Sequence, residues 1–298
     1  MISMVIATRN RAYTLRRVAN TFFNQNDVSE IIFICDDCKD DTAQSLREIG
    51  KDYPSVKLVV VENEQHLGQA ESRNRGMAHA TGQYILFCDD DEYMQEDYAR
   101  TCLVKLRQYG AGAVAGRRIY LRTGESCEDA LARFGNGMRN VRPFYYLLCE
   151  YVNSARFEGD ISLPLTNSIM LTERTTALQN PFDPFYSTGN GYREESDFQM
   201  RLFLKDMPNY TTNDTHTFHL PLTETRTVGQ RVNRLRKVIW SWAYTRYFFG
   251  KYYKDYAKKA SIRMPMAAAL CWYALFAVYK ECFRPLLRDL YVAMRTKP

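Results

Sequence analysis

The chain has 298 residues, of which 46% are hydrophobic and 25% charged, a balance that allows a sizeable core and excludes disordered and fibrous classes. The net charge of +6 hides an asymmetry, because the residues from Arg226 onward include 16 Lys or Arg and 3 Asp or Glu, a balance of +13 that leaves −7 on residues 1–225. The sequence therefore predicts an acidic domain over residues 1–225 and a basic, aromatic, helical tail over residues 226–298.

The first part of the acidic domain alternates between short apolar runs and helix-like segments. The apolar runs, typical of strands covered on both faces, are Ile2–Thr8, Glu30–Asp36, Val56–Glu62 and Tyr84–Cys88. Helical periodicity is found between them, over Thr14–Asn24, Thr42–Ile49 and Gly68–Ala80. This order predicts an α/β fold with a mostly parallel central sheet and helices on both of its faces.

Further elements follow the fourth strand. We predict a helix over Glu96–Gln108, a strand over Gly112–Leu121, a strand over Leu165–Leu171 and a helix over Glu194–Lys205. Residues 122–160 lack clear periodicity, and we expect them to form a long excursion over the active face. At Gly68 and Gly76 we expect ordinary helix-end geometry.

Acidic residues follow two of the predicted parallel strands. Asp36 and Asp37 end the second strand, and Asp89, Asp90 and Asp91 end the fourth. Ligands of such sheets bind beyond the carboxyl ends of the strands, where gathered carboxylates need a cation or a donor-rich ligand to offset their repulsion. Aspartate after a strand is also a common turn former, but two clusters in one alternating fold favour a binding site.

Four segments in chain order resemble the motifs of the inverting family 2 glycosyltransferases, which have the GT-A fold. Residues 5–11 (VIATRNR) are similar to the opening strand and its nucleotide-contacting turn. Residues 35–42 (CDDCKDDT) resemble the paired-aspartate motif, one residue shorter and with Cys38 where glycine or asparagine is usual. Residues 67–76 resemble the family's Ala-Arg-Asn helix, and residues 88–91 (CDDD) resemble its Asp-x-Asp (DXD) box.

The resemblance implies a nucleotide-diphosphate-sugar donor and a divalent cation, manganese or magnesium, that stabilises charge on the diphosphate. It implies Asp91 and His219 as metal ligands, with His216 as the alternative to His219 and a solvated or core histidine as the simpler interpretation. The residues that it places around the donor are Thr8, Arg11, Asp37, Arg73, Asp89 and Asp90. Among these, Asp37 would accept from the base, and Arg73 would either order the acidic box or form a buried ion pair without ligand contact.

The resemblance also implies a general base at the start of a late helix, which takes the proton of the acceptor hydroxyl. In the matching segment Arg193–Asp197, Glu195 lies where the family usually has aspartate, and Glu194 remains the alternative. Acidic residues at a helix N-terminus are also favoured by the helix dipole alone, so the position does not by itself assign the role.

The tail combines apolar and basic segments. Residues 231–250 place apolar side chains at helical spacing, and Met264–Tyr279 follows as 16 residues without a charge, fewer than the about 18 to 20 that cross a bilayer. Basic residues flank this run, which predicts a helix in the interface of an anionic membrane and a peripheral protein on the cytoplasmic face of the inner membrane. The alternative is a helical hairpin that packs on the body or on a second copy, giving a homo-oligomer. The acidic body argues against nucleic acid as a partner.

These observations predict a metal-dependent inverting glycosyltransferase of hexosyltransferase type. It would move a sugar from a nucleotide-sugar to a glycan or lipid-linked acceptor in surface polysaccharide or glycolipid synthesis. The alternative is a non-catalytic nucleotide-sugar or lipid-binding module of the same fold, which the glutamate at position 195 and the shortened paired-aspartate motif keep open. A nucleotidyltransferase is disfavoured, because its glycine-rich, lysine-bearing amino-terminal signature is missing.

Overall fold

The computed structural model describes residues 1–136, 143–153, 155–189, 191–221, 223–225 and 234–284. The chain divides into two compact units, which we describe separately. The body contains residues 1–145 and 149–225, and the second unit contains residues 146–148 and the chain from Arg226 on. The boundary at Arg226 coincides with the residue where the charge balance changes.

The body is built from strands and helices of ordinary length. Its strands are β1 (Ile2–Thr8), β2 (Val28–Asp36), β3 (Lys57–Asn63), β4 (Tyr84–Cys88), β5 (Glu92–Met94), β6 (Ala113–Tyr120), β7 (Phe144–Tyr145), β8 (Glu150–Tyr151), β9 (Asp160–Leu163), β10 (Leu171–Glu173) and β11 (Asn209–His219). Its α-helices are α1 (Ala12–Phe23), α2 (Thr42–Gly50), α3 (Gln69–His79), α4 (Tyr98–Tyr109), α5 (Cys127–Asn136), α6 (Arg174–Gln179) and α7 (Glu194–Leu204).

Within the described residues, nine strands form one sheet in the order β3-β2-β1-β4-β10-β6-β11-β5, with β9 paired along β11. The pairs β1–β2, β1–β4, β2–β3 and β6–β11 are parallel, whereas β10 runs antiparallel between β4 and β6. The predicted α/β class with a largely parallel central sheet is therefore confirmed. The antiparallel β10 and the long β11 bring the ends of β4, β6 and β11 together.

Helices cover both faces of the parallel part because β1 and β2 are apolar on both sides. Met4 and Ile6 of β1 lie in the main core with residues of α1 and α4, whereas Val5 faces α3. A Cβ atom on Gly76 would lie 2.4 Å from Val5 Cγ1, so the missing side chain lets α3 pack closely on β1. The helix-end role that we expected for Gly76 is therefore wrong, since this residue lies inside α3.

Gly68 does have a helix-end role. It precedes α3 with φ +82°, and a Cβ there would lie 2.0 Å from the carbonyl oxygen of Ser187. Only glycine fits this combination of left-handed backbone and close approach. Gly68 therefore fixes the direction in which α3 leaves the preceding turn.

Three sequence predictions in the second half of the body need correction. The strand expected over Leu165–Leu171 is wrong, because only Leu171 belongs to β10 and the preceding residues form a buried loop. Side-chain amides supply hydrogen bonds to buried backbone groups in and around this loop. Asn167 Nδ2 donates to Gly116 O (2.6 Å), and Gln199 Oε1 accepts from Thr166 N (2.6 Å). The aperiodic residues 122–160 contain α5 and the two short strands β7 and β8, and they end at the first residue of β9. β11 was missed because its polar Thr, Asn and His residues hide its strand character.

The second unit consists mainly of two helices, α8 (Arg234–Lys259) and α9 (Met266–Val278), and α9 continues as a π-helical turn over Tyr279–Phe283. Arg231, where we expected α8 to begin, lies outside the described residues. Tyr253 Oη donates to Met264 O (2.8 Å), which ties α8 to the turn before α9.

Among the described residues, Met266–Phe283 is long and apolar enough to cross a membrane by length and composition alone, with 18 residues and a mean hydropathy of 1.2. The uncharged run has only 16 residues, but the helical stretch extends it past Lys280. The length of this helical stretch therefore does not exclude a membrane span, and the sequence argument that 16 uncharged residues are too few is wrong.

Candidate active site

The carboxyl ends of β1, β4 and β11 and the start of α7 meet at one edge of the sheet. Six of the predicted site residues are joined there by direct contacts to one another or to a shared neighbour, namely Thr8, Arg11, Asp89, Asp90, Asp91 and His219. Arg73 joins them from α3. The fold therefore collects into one cluster residues that lie up to 211 positions apart in the sequence.

Asp89 is the most strongly bound carboxylate of this cluster. It accepts from Arg73 Nη2 (2.8 Å), Arg118 Nη2 (3.2 Å) and Ser168 Oγ (3.1 Å). Burial opposes the ionisation of Asp89, but Arg118 and Arg73 outweigh it and hold the pKa below its usual range. Asp89 is therefore an ionised carboxylate with its charge already compensated by the protein.

Arg73 connects the acidic box to α7. Its side chain is completely buried, and Nη1 forms an ion pair with Glu194 while Nη2 binds Asp89. The guanidinium carbon also lies 5.5 Å from the ring centre of Phe182. The structure thus shows the buried ion-pair network that we considered for Arg73, and a donor contact of this residue stays a prediction.

Asp90 and Thr8 form the next contact along the edge. Thr8 Oγ1 donates to Asp90 Oδ2 (2.6 Å), and Arg11 Nε lies 3.9 Å from Asp90 Oδ1. Burial and the neighbouring charge of Asp91 raise the pKa of Asp90 to about 7, against the opposing effect of Arg11. The raised pKa favours the protonated form of Asp90, as expected where carboxylates are gathered without enough positive charge.

Asp91, Glu92 and His219 present a group of potential metal-ligand atoms that all lie within 4.8 Å of one another. His219 Nε2 is 3.6 Å from Asp91 Oδ2, and His219 lies opposite Glu92 where β11 pairs with β5. The His219 Nδ1 contacts the carbonyl oxygen of Leu220, which only accepts, so Nδ1 carries the hydrogen and Nε2 keeps its lone pair. Burial and Arg118 lower the pKa of His219, which favours the neutral form that binds metals.

The residues present fit a hard divalent cation. Glu92 is fully buried, and its Oε2 has no hydrogen-bond partner among the residues that the structure describes. Two carboxylates and one imidazole suit manganese or magnesium by the chemistry of their donor atoms. Glu92 was missed from the sequence, although its position directly after Asp91 was a usable signal.

Asp37 lies outside this cluster. It occupies a turn with φ +56°, and its carboxylate contacts Lys39 Nζ (2.6 Å) and Arg9 Nη2 (3.4 Å). Lys39 and Arg9 lower its pKa. The neighbouring Asp36 instead accepts from the backbone of Leu67 (2.8 Å) and Gly68 (2.9 Å), so it anchors the turn that leads into α3.

The two candidate bases at the start of α7 differ in their surroundings. Glu194 is buried against Arg73, and burial raises its pKa to about 8 despite that cation. Glu195 is partly exposed and makes no ion pair within 4.0 Å with any described residue, and burial also raises its pKa. The base assignment stays a prediction, but Glu195 is the carboxylate that is not committed to Arg73.

His216 is separated from the acidic cluster. It lies three positions before His219 in β11, so the two side chains leave the strand on opposite faces. Its Nδ1 contacts Gln95 Oε1 (3.1 Å), and burial together with Arg117 lowers its pKa to about 4. Of the two histidines, the structure places only His219 beside the acidic residues.

Comparison with known proteins identifies related sequences. Residues 3–147 match the family model described as "Glycosyl transferase family 2". The chain is 31% identical over 93 residues to the uncharacterized glycosyltransferase YwdF of Bacillus subtilis, covering 31% of this chain and 33% of that protein. It is 27% identical over 108 residues to the GalNAc(5)-diNAcBac-PP-undecaprenol beta-1,3-glucosyltransferase of Campylobacter jejuni, covering 36% of this chain and 35% of that protein. The matches thus span about a third of the length of these relatives.

Solved structures share the fold over most of the chain. S. aureus TarS in complex with UDP-GlcNAc gives a TM-score of 0.59 at 13% identity, covering 94% of this chain and 72% of that one. The mannosyltransferase PcManGT from Pyrobaculum calidifontis, in complex with GDP-Man and Mn²⁺, gives a TM-score of 0.59 at 15% identity, covering 100% of this chain and 81% of that one. These likenesses confirm the predicted GT-A fold.

Proposed function

We propose that this chain, which belongs to glycosyl transferase family 2 through residues 3–147, moves a sugar from a nucleotide-diphosphate donor to a glycan or lipid-linked acceptor. The observation that carries the proposal is the group formed by Asp91, Glu92 and His219 at the carboxyl edge of the sheet, where ligands of such folds bind. The names of its relatives support the class of reaction, since the C. jejuni protein acts on an undecaprenol-linked glycan. We infer a role in surface polysaccharide or glycolipid synthesis.

Manganese or magnesium would be held by Asp91, Glu92 and His219, and when bound it would stabilise the charge of the donor diphosphate. Arg11 and Thr8 lie beside this group through Asp90, and we assign them with Asp90 to the donor. The ion pair between Asp89 and Arg73 would stabilise the geometry of the carboxyl edge of the sheet. Asp37, which is partly exposed, would accept from the nucleotide base.

For the transfer itself we propose an inverting reaction with Glu195 as the general base. Glu195 would take the proton of the acceptor hydroxyl as that oxygen attacks the sugar carbon and the nucleoside diphosphate leaves. Its raised pKa makes the Glu195 carboxylate a stronger proton acceptor than a solvated glutamate, and its partial exposure leaves it accessible to an acceptor. Glu194 is held by Arg73 and supports the start of α7.

The experiment that tests this function measures donor hydrolysis and donor-induced thermal shift, with a panel of nucleotide-sugars, in manganese and in EDTA. We expect one donor to stabilise the protein only with the metal, and Asp91→Ala to abolish both signals while the fold is retained. Asp52→Ala, an exposed aspartate of the same body, serves as the matched control. Full activity of Asp91→Ala in the presence of chelator would contradict the metal assignment, and donor binding without any turnover would favour the non-catalytic alternative.

For localisation we propose that the second unit binds an anionic membrane, which would place the chain on the cytoplasmic face of the inner membrane. Within α9 and the turn that follows it, Trp272, Leu275 and Phe283 are more than half exposed, and Leu275 reaches 66%. Lys258, Lys259 and Arg263 precede this apolar surface and would each add about 1 kcal/mol near anionic lipid.

Vesicle flotation of the full chain tests the localisation. Leu275→Glu, and separately the triple reversal of Lys258, Lys259 and Arg263 to Glu, should each reduce binding to anionic vesicles several-fold. Substitution of Glu for three exposed basic residues of the body, Arg47, Lys51 and Arg100, should leave vesicle binding unchanged. Equal flotation of all forms would show that the tail serves packing or an oligomer contact instead.

A further inference from the structure

Arg117 is a buried arginine without a counter-charge. Its side chain lies in the middle of β6 with only 3% of the residue exposed. No described residue accepts a hydrogen bond from its side chain or forms an ion pair with it, and its Nε is buried without a partner among the described residues. A buried cation without a partner is costly, and a bound anion would compensate its charge.

The neighbouring Arg118 shows what compensation looks like in the same strand. Arg118 leaves β6 on the opposite face, where it forms ion pairs with Asp89 (3.2 Å) and with Glu92. Burial alone would lower the pKa of Arg118, but these carboxylates raise it above the usual value. For Arg117 burial is the largest effect and the pKa is lowered. Both arginines are less than 10% exposed, and they differ in their anionic partners.

The surroundings of Arg117 are positive. Arg156 lies close enough for its charge to lower the pKa of Arg117 further, and Arg117 in turn helps to lower the pKa of His216. The acidic group that acts on His216, Asp214, is bound to Lys105 Nζ at 2.6 Å. His216 Nε2 is also buried without a hydrogen-bond partner among the described residues. These observations describe a site with positive potential and unused hydrogen-bonding atoms.

We propose that Arg117 and Arg156 form a second ligand site, which binds a phosphate or diphosphate group on the face of β6 opposite the acidic cluster. Two guanidinium groups offer paired N–H donors that match phosphate oxygens, and a dianion would balance both charges. Arg156 is partly exposed and gives the anion a path to Arg117, while Arg117 supplies the desolvated contact. The site does not depend on the proposed transfer reaction, because it contains none of the donor or metal residues.

Thermal unfolding of the full chain in EDTA, without donor, tests the site. Inorganic phosphate at 10 mM should raise the Tm by about 2 to 4 °C over sodium chloride of equal ionic strength. Arg117→Met should remove this rise and should itself unfold at a higher temperature than the wild type in the absence of anion, because an unpaired buried charge is gone. Arg122→Met, which removes an exposed arginine just beyond β6, should keep the full rise.

Two further measurements keep the proposal open to refutation if Arg117→Met folds poorly. Arg156→Met changes a partly exposed side chain, and it should weaken phosphate binding about tenfold. In the wild type, the pKa of His216 followed by NMR should increase from about 4 by at least one unit when phosphate is bound, with His216→Gln assigning the signal. An unchanged His216 titration, or an equal phosphate-induced rise in Arg117→Met and the wild type, would overturn the proposal.

A second ligand distinguishes a lipid-linked phosphate from a free anion as the occupant of the site. Farnesyl diphosphate, a soluble lipid diphosphate, is compared with inorganic phosphate and pyrophosphate on the wild type and on Arg156→Met. Binding that is tenfold tighter for the lipid diphosphate and lost in the variant assigns the site to a lipid-linked substrate. Equal binding of pyrophosphate and the lipid diphosphate assigns it to a free anion. Binding of either probe that is unaffected by Arg156→Met counts against the site.

Discussion

The two edges of the central sheet treat buried carboxylates in opposite ways. At the amino edge, Glu30 is 2% exposed and accepts from Ser3 Oγ (2.5 Å), Thr81 N (2.6 Å) and Thr81 Oγ1 (2.8 Å). Burial opposes its ionisation, but these donors outweigh burial and lower its pKa to about 2. At the carboxyl edge, burial and neighbouring carboxylates raise the pKa of Asp90 to about 7 and that of Glu92 to about 8.

This difference in pKa distinguishes a carboxylate with a structural role from carboxylates whose charge a bound ligand would compensate. Glu30 needs no ligand to compensate its charge, because the surrounding protein supplies hydrogen-bond donors that stabilise the carboxylate. Asp90 and Glu92 are desolvated together, and their charges would be relieved by a cation. We therefore expect changes at the amino edge to alter stability alone, and changes at the carboxyl edge to alter activity as well.

The largest effect is expected at the start of α7, on the carboxyl edge. Glu195→Gln keeps the shape of the side chain but removes its ability to accept a proton, so turnover should fall by roughly two to four orders of magnitude. Donor affinity should change little, which separates the role of a base from that of a ligand. Steady-state kinetics and donor titration measure both quantities. Near-normal turnover of Glu195→Gln together with an inactive Glu194→Gln would move the base one residue back.

The next largest effect is expected from removing the buried cation of the carboxyl edge. Arg73→Met leaves Glu194 buried without its cation and removes one of the two arginines that bind Asp89, and the free energy of unfolding should decrease by about 3 to 5 kcal/mol. Denaturation with urea measures this value. Arg47→Met breaks an exposed ion pair with Glu62 and should cost less than about 1 kcal/mol. Similar losses for the two variants would show that the Arg73 network contributes no more than a surface pair.

The third prediction concerns the pH dependence that Glu30 gives to the amino edge. Its folded pKa of about 2 lies below the usual value near 4.5, so its contribution is fully present above pH 4.5 and is lost as pH falls toward 2. One pKa unit corresponds to about 1.4 kcal/mol, and with solvent screening we expect Glu30→Gln to cost about 2 kcal/mol at pH 7.

Urea denaturation of wild type and Glu30→Gln from pH 7 to pH 3 checks this sign. The difference in unfolding free energy should shrink as pH falls, while turnover at pH 7 under saturating donor should be equal in the two proteins. A difference that is independent of pH would mean that Glu30 acts through packing and not through its charge.

The sequence was sufficient where local pattern and final structure agree. The four parallel strands β1 to β4 were predicted to within two residues at each end, because buried parallel strands are continuous apolar runs between clear helices. Asp89, Asp90 and Asp91 were found because they directly follow such a strand. Here the position in the sequence also gives the position in space.

The sequence was insufficient where long-range pairing decides the structure. β11 is polar along its length and owes its existence to pairing with β6, β9 and β5, which no local pattern encodes. Glu92 joins the metal-ligand group because that pairing sets it opposite His219. Likewise, Asp36 and Asp37 are adjacent and chemically identical. Asp36 accepts from backbone and side-chain donors around the turn at Gly68, whereas the partly exposed Asp37 contacts Lys39 and Arg9.

The smallest effects are expected from the individual partners of Glu30, and they identify what holds its pKa low. Lys57 Nζ lies 3.4 Å from Glu30 Oε2, but 62% of the lysine side chain is exposed, so Lys57→Met should cost less than about 0.5 kcal/mol and its effect should vanish in high salt. Ser3→Ala removes a buried neutral donor and should cost about 1 kcal/mol or more, with no dependence on salt, because the carboxylate then loses a hydrogen bond that water cannot replace. Unfolding free energies of both variants at low and high salt test this order. A larger and salt-sensitive loss of unfolding free energy in Lys57→Met would show that the amino edge, like the carboxyl edge, relies on opposite charge. The two edges would then differ only in the number of carboxylates that each one gathers.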